Sequence, residues 1–259
     1  MRMTRALLVA AHPDDEVLGA GAQLPRMHGL RLIHVTDGAP RNLLDARAAG
    51  FTTRLGYVAA RREELHGALQ LAGIDPLRCE TLEVVDQEAS YSLASLTERL
   101  VEIFLNHQAE VVFSHAYEGG HPDHDATAFA VHAACRLIAR RGARSPWIVE
   151  FTSYHAGGGS LRTGDFLPGS EVPTLTLSLT EGQRALKARM LGRFTTQART
   201  LQSFGISHER FRVAPLYRLT RLPHAGRLWY ENFDWDMDGR RWRRLSGAAL
   251  GELGIEEPL

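Results

Sequence analysis

Residues 6–11, ALLVAA, form an unbroken apolar run. A run of that length reads as a strand covered on both faces. Residues 14–27 then follow helical spacing through Val17, Leu18, Ala22 and Leu24, with Pro25 near the end. A second short strand is predicted over 32–36, and Asp37-Gly38 turns the chain after it. Residues 39–53 show no period and are expected to be irregular. Residues 55–72 predict an amphipathic helix: Leu65, Leu69 and Ala72 share one face, Arg61 to Glu64 lie off it, and Gly73 ends it. Further strands are predicted over 81–85, 110–114 and 148–154, and further helices over 92–106 and 123–140. In the first of these helices Leu96, Leu100, Ile103 and Phe104 fall at i, i+4, i+7 and i+8.

Strand and helix thus alternate through residue 154, which predicts βαβ units and an α/β, Rossmann-like three-layer fold with a mostly parallel sheet. In such sheets ligands sit at the carboxyl ends of the strands. After residue 155 the pattern changes. Gly157, Gly158, Gly159 and Ser160 predict a flexible loop, residues 172–179 a strand, and residues 180–201 one helix with Thr180 as N-cap. Residues 207–245 are aromatic and basic. No apolar-poor linker or solenoid repeat divides the chain. The expectation is one domain over 1–259, with a βαβ core in 1–155 and a variable C-terminal elaboration in 156–259.

Composition narrows the class. Hydrophobic residues make up 44% and charged residues 23% of 259, and the formal net charge is +0. That balance suits a soluble globular protein, and the missing basic excess speaks against a nucleic-acid partner. The run Arg240, Arg241, Arg243, Arg244 reads as a solvated surface. Cys79 and Cys135 are isolated, Cys135 in an apolar helical run, so a reducing cytoplasm is expected rather than a disulfide framework. The first apolar run is too short and too quickly acidic for a signal peptide, and no stretch approaches the ~20 apolar residues that insert in a bilayer. The sole lysine, Lys187, reads as a consequence of base composition. Homo-oligomerisation is not legible.

Two motifs change the picture. His12-Pro13-Asp14-Asp15-Glu16 follows the first strand, and His121-Pro122-Asp123-His124-Asp125 follows the fourth after a Gly119-Gly120 turn. Proline suits the first position of a helix, where no backbone donor is needed. Both motifs therefore read as strand-to-helix turns at one sheet edge. Residues three apart on a helical turn share a face, so His12 and Asp15 can converge on one ion, and His121 and His124 can both face that space. Imidazole and carboxylate are ligands for zinc and for ferrous iron, and three protein ligands with one open position make a catalytic site. One such turn could be an acid-capped helix start alone; two at matching strand ends are harder to explain that way.

The pair A-H-P-D-D-E and H-P-D-H, about a hundred residues apart, resembles the LmbE-like, or PIG-L, de-N-acetylases over roughly residues 5–155. Those enzymes deacetylate N-acetylglucosaminyl-phosphatidylinositol and the amino-sugar intermediates of mycothiol and bacillithiol. The resemblance implies that His12, Asp15 and His124 bind zinc, with ferrous iron also acceptable to this donor set. It implies that Asp14 is the general base and that His121 supports the oxyanion and passes a proton to the leaving amine. Asp123, and more weakly Glu16, match acids that orient metal-site side chains. Asp37 resembles the family's T-D-G turn, and Arg61 its R-x-x-E-L helix, where the arginine reaches substrate; an ordinary turn and an exposed ion pair explain them as well. Tyr117, just before the second motif, is a candidate oxyanion contact. Trp229 and Tyr230 are candidates for a sugar site. His115, His132, His155 and His224 read as surface or satisfied core.

The reaction implied is metal-assisted hydrolysis of an acetamide on an N-acetylglucosaminyl conjugate or related small molecule, in the cytoplasm. A dinucleotide site is a poor rival, because Gly19-Ala20-Gly21 lies within the predicted helix and the turn is filled by acids that repel pyrophosphate. A metal-dependent phosphohydrolase would also use such histidine-acid turns, although that chemistry favours two ions and more carboxylates. A non-catalytic carbohydrate-binding protein on the same fold would have no use for Asp14 beside the metal.

Overall fold

The computed structural model describes residues 5–157 and 159–259; of the predicted glycine loop, Gly158 lies outside the described residues. Seven strands form one sheet: β1 (Ala6–Ala10), β2 (Arg31–Thr36), β3 (Cys79–Val84), β4 (Val111–His115), β5 (Trp147–Phe151), β8 (Leu175–Ser178) and β9 (His208–Val213). Their order is β3-β2-β1-β4-β5-β9-β8, and a separate two-stranded ribbon pairs β6 (Tyr154–His155) with β7 (Arg162–Thr163). The first five are parallel, while β9 runs antiparallel to β5 and β8 antiparallel to β9. The five parallel strands therefore end at one edge.

The apolar run of β1 is continuous because both of its faces are covered. Leu7 and Val9 join the core beneath α4 (Leu93–Asn106), α5 (Pro122–Arg140) and α8 (Gly239–Leu253). Leu8 and Ala10 join the opposite core beneath α1 (Asp15–Ala20), α3 (Arg54–Leu71) and α6 (Glu181–Leu191). Period-two alternation sends neighbouring residues to the two layers. No helix among the described residues is long and apolar enough to cross a membrane.

Several boundaries differ from the sequence pattern. The first helix stops at Ala20 and gives way to a 3-10 turn at Leu24–Arg26. Gly19 lets it press on the sheet: a Cβ there would sit 2.2 Å from the Phe151 ring. The stretch expected to be irregular holds a short helix, α2 (Leu44–Ala48). The strand expected to reach Tyr154 ends at Phe151, and Tyr154 starts the ribbon. The helix expected over 180–201 starts as foreseen, with Thr180 and Gln183 in a capping box, but ends at Leu191. A turn follows, and α7 (Ala198–Leu201) resumes. Phe194 is buried in that turn. Glu64 holds it, accepting from the Thr195 and Thr196 hydroxyls, both at 2.6 Å, and from the Thr196 amide at 2.8 Å. The aromatic C-terminal segment hides a strand and a helix. β9 enters the sheet, and Trp242 of α8 is fully buried, its Nε1 donating to Leu219 O at 2.9 Å.

Lys187 has a structural role that its isolation in the sequence concealed. It is 1% exposed, with Nζ donating to Glu209 Oε1 at 2.8 Å and to Leu18 O at 2.7 Å. Glu209 also accepts from the Ala22 amide at 2.8 Å. One buried ion pair therefore ties α6 and β9 to the segment carrying the first motif. Stripping one partner from such a pair strands the other charge. Lys187→Met is expected to lower unfolding free energy by about 3–5 kcal/mol in urea titration, and an unchanged midpoint would contradict that role.

Candidate metal and catalytic site

The first motif forms where β1 ends. His12 and Pro13 lead into Asp14, whose φ of 132° is outside the range most residues adopt without cost. Such backbone strain gathers at functional sites, held by surrounding contacts. Here Glu16 holds it: Oε2 accepts from the Asp14 amide at 3.1 Å, and the Asp14 carbonyl starts α1 by accepting from Leu18 N at 2.9 Å. The second motif forms beyond β4. Gly119 has φ of 71°, and a Cβ on Gly120 would lie 2.0 Å from Tyr154 O, so this turn requires glycine twice. Asp125 fixes the loop from behind, accepting from the Glu118 and Gly119 amides at 3.2 and 3.0 Å. His121 is the N-cap of α5, and Pro122 is its first residue.

The two turns place five metal-capable side chains together: His12, Asp15, His121, Asp123 and His124. Asp15 lies between two histidines: Oδ2 is 3.2 Å from His12 Nδ1, and Oδ1 is 3.2 Å from His124 Nε2. One ligand atom from each of His12, Asp15 and His124 falls within 4.8 Å of the others, and all three residues are buried. On its far side His12 Nε2 meets Asp123 Oδ2 at 3.3 Å, and Asp123 is itself fixed by the Gln87 and Ala89 amides at 2.6 and 3.0 Å. With its Nε2 proton engaged by Asp123, His12 presents the Nδ1 lone pair to Asp15's side, the arrangement that orients histidines on metals.

Backbone donors decide which other histidine can ligate. His121 Nδ1 accepts from the Asp123 amide at 3.1 Å, so its neutral ring carries the proton on Nε2. His115 Nε2 accepts from the Ala11 amide at 3.0 Å, which uses its inner lone pair. His124 Nδ1 instead meets the Ser153 hydroxyl at 3.2 Å, a group able to accept, which leaves Nε2 free beside Asp15. The donor set thus fits a tetrahedral ion on His12, Asp15 and His124 with one open position. A neighbouring group, His12, Asp86, His121 and Asp123, is also close enough to hold an ion. Two of its members, His121 and Asp123, already accept from backbone amides, so the residues fit one ion better than the two of many phosphohydrolases.

Electrostatics mark where a positive charge belongs, and the second ring proton of His12 is the one a metal ion would displace. Burial would lower the His12 ring, yet Asp86, Asp123 and Asp15 hold it well above the usual histidine range. Burial opposes the charge on Asp15, but His124 and His115 keep that carboxyl well below its ordinary value. Burial, with His12 and His124 adding to it, keeps His121 well below and neutral. Burial pushes Asp14 up to about 8, against the pull of Arg61. Such a carboxyl is ready to exchange a proton near neutral pH.

The remaining predicted residues divide. Glu16 is fully buried and supports the Asp14 turn, with His34 Nε2 on its Oε2 at 2.9 Å. Arg61 reaches the cleft but is 3% exposed, bonded to Pro13 O at 2.6 Å and Asp14 Oδ2 at 3.3 Å; it steadies Asp14 and is not paired with Glu64. Asp37 is turned away, bound to Arg54 at the start of α3. Tyr117 is not at the cleft either. It packs on Trp242 and Tyr217, and its hydroxyl donates to Arg221 O at 2.7 Å, because its side points into the helix-covered core. Sequence reasoning missed Asp86. Asp86 Oδ1 is 3.2 Å from His12 Nε2, and its position just past the third strand was the available signal. His115, fully buried, stacks on His124 at 4.1 Å between centroids.

A cleft of about 550 Å³ opens above this cluster. Asp14, Arg61, Asp86 and His121 line it, together with the aromatic side chains of Tyr154, Phe204, Trp229, Phe233 and Trp235. Trp235 lies 4.6 Å from His121 and stacks on Phe233 at 4.3 Å. Tyr230, the other sugar-site candidate, is buried in the core.

The tautomer argument separates the two histidines of HPDH. His124→Ala is expected to lose bound metal on dialysis, whereas His121→Ala keeps it at the wild-type stoichiometry; equal loss in both by elemental analysis would contradict the assignment.

A profile of the PIG-L family, GlcNAc-PI de-N-acetylase, matches residues 7–135. Comparison with curated proteins gives no match. Among solved structures, the deacetylase of the antimicrobial A40926 pseudoaglycone aligns at TM-score 0.62 and 20% identity, over 82% of this chain and 97% of that one. A zinc-inhibited form of teicoplanin deacetylase aligns at 0.60 and 16%, over 81% and 97%. The N,N'-diacetylchitobiose deacetylase of Pyrococcus horikoshii aligns at 0.53 and 19%, over 81% and 83%. At these identities the structural likeness shows the fold. The profile match spans both motifs, from β1 into α5, and on it this chain belongs to the PIG-L, LmbE-like family.

Proposed function

We propose that this protein is a metal-dependent hydrolase that removes the N-acetyl group from an amino-sugar-type substrate, giving acetate and a free amine. The observation that carries the reading is Asp14: a buried, strained carboxylate directly beside a His12–Asp15–His124 donor set. A protein that only bound sugar would have no use for a base held there at a cost in backbone strain.

His12, Asp15 and His124 would hold the ion. Zinc there would supply Lewis-acid polarisation and a lowered water pKa, and ferrous iron is accepted by the same donors. Asp14 takes a proton from the attacking water as the new C–O bond forms. The Nε2–H of His121 donates to the acetamide oxygen as charge gathers on it. A neutral His121 has a single ring proton and keeps it, so Asp14, with Arg61 behind it, returns its proton to the nitrogen as the C–N bond breaks. This differs from the proton-shuttling role that family resemblance gave His121, and the reason is the Asp123 amide on its Nδ1.

The cleft supports a glycan-like substrate. Aromatic rings offer flat apolar faces to the C–H side of a sugar, while Asp86 and Gln87, which also line the cleft, offer polar groups to hydroxyls. Two structural neighbours are deacetylases of the A40926 pseudoaglycone and of N,N'-diacetylchitobiose by name, and the family profile is named for GlcNAc-PI. These define an N-acetylglucosaminyl conjugate as the class to assay.

The test is acetate release from a panel of N-acetylglucosaminides, with zinc, ferrous iron and cobalt each titrated from substoichiometric amounts, since one relative has a zinc-inhibited form. Asp14→Asn is expected to retain its metal and lose about 10²–10⁴-fold in kcat. Full metal occupancy with no acetate from any panel member would overturn the hydrolase reading. Unchanged turnover in the variant would remove Asp14 as the base.

A further inference from the structure

A second arrangement of reactive groups lies outside the metal cluster. Cys79 opens β3, half-buried, and its Sγ is 3.3 Å from His34 Nδ1. His34, in β2, is 1% exposed, and its Nε2 is 2.9 Å from Glu16 Oε2. Sulfur, imidazole and carboxylate therefore stand in line, the base within reach of the nucleophile and oriented by a third group. Parallel pairing in the sheet sets His34 opposite Thr81, two residues from Cys79, so β2 and β3 hold the register of this contact. Burial would lower His34, yet Cys79 on one nitrogen and Glu16 on the other push it up to about 10. Glu16 on the far nitrogen thus favours the charged ring beside the sulfur.

Both Cys79 and His34 line a cavity of about 350 Å³, with Pro13, Thr36, Leu65, Pro76 and others around them. It is a different space from the deacetylase cleft. Pro13 borders this cavity and Asp14 the cleft, so adjacent residues of one turn face the two. The hydrolysis uses none of Cys79, His34 or this cavity. Cys135, by contrast, is buried in the core with its thiol pushed up to about 12 by burial.

We propose that Cys79 is an activated thiol, paired with His34 and Glu16, and a site of covalent modification by hydroperoxides and small soft electrophiles. Reaction follows from the pairing. With hydrogen peroxide, the S–O bond forms as the O–O bond breaks, and the proton shared between Sγ and His34 Nδ1 leaves with hydroxide as water. Sulfur is oxidised to the sulfenic acid and the peroxide is reduced. With iodoacetamide, the S–C bond forms, iodide leaves, and the proton remains on His34. A thiol beside a cationic imidazole reacts faster than a free one. Glu16 Oε2 also accepts the Asp14 amide, so the modified group would stand at the end of a short hydrogen-bonded path to the strained turn.

The test needs no substrate for the deacetylase. The full chain is treated with limiting iodoacetamide at neutral pH beside an equal concentration of glutathione, and alkylation at each cysteine is followed by peptide mass spectrometry. Cys79 is expected to react about tenfold faster than glutathione despite its partial burial, and His34→Asn to bring it to or below the glutathione rate. A wild-type Cys79 slower than glutathione would overturn the proposal, a result that stands even where the variant fails to fold. An equal rate in wild type and a folded His34→Asn would overturn it as well. Dimedone capture at Cys79 after brief peroxide treatment is expected, and its absence while Cys79 still alkylates rapidly would exclude the hydroperoxide arm.

Discussion

Three carboxylates, Asp15, Asp86 and Asp123, surround a single imidazole, that of His12, at 3.2 to 3.3 Å. All lie at the carboxyl edge of the sheet and are nearly closed to water. Packing this much negative charge out of solvent is costly unless cations answer it. The whole arrangement of strand ends and turns makes sense as the enclosure of a positive centre, which the proposed divalent ion on His12, Asp15 and His124 would supply. The second tier of contacts follows from that need. Asp123 is held by two backbone amides, Glu16 by His34, and Asp14 by Arg61 and Glu16, so each of these three acids has a fixed position.

Backbone amides also divide the work among chemically identical side chains. Four histidines crowd the site, and composition cannot tell them apart. The Asp123 amide on His121 and the Ala11 amide on His115 consume lone pairs, leaving His124 as the open partner for Asp15. The same amide that disqualifies His121 as a ligand makes it a hydrogen-bond donor towards the cleft. The proposed ligand and the proposed oxyanion donor thus sit three residues apart on one helix start, distinguished by which ring nitrogen meets a backbone N–H.

Much of this was legible along the chain. The buried first strand, the β-α alternation and the two histidine-acid turns follow from local periodicity and motif spacing, which depend on near neighbours. What was lost depends on residues far apart. Asp86 carries no motif, and only the parallel pairing of β2 and β3 brings it to the others. Tyr117 stands beside a functional turn in sequence, yet its side chain is claimed by Trp242, more than a hundred residues away. Lys187 looked incidental until Glu209 was found opposite it on β9, a strand with no clear pattern of its own. The break at Gly192 was hidden because Phe194 leaves helical spacing in order to fill the core.

The most direct measurement is the position of the metal itself. Zinc soaked at one equivalent into crystals of this protein, located by anomalous scattering at the zinc edge, would give the ligands without reference to any substrate. The account predicts one peak bonded to His12 through Nδ1, to Asp15 and to His124 through Nε2, with His121 unbonded and its Nε2 towards the cleft. A peak between Asp86 and His121, or none at the His12–Asp15–His124 set, would contradict it.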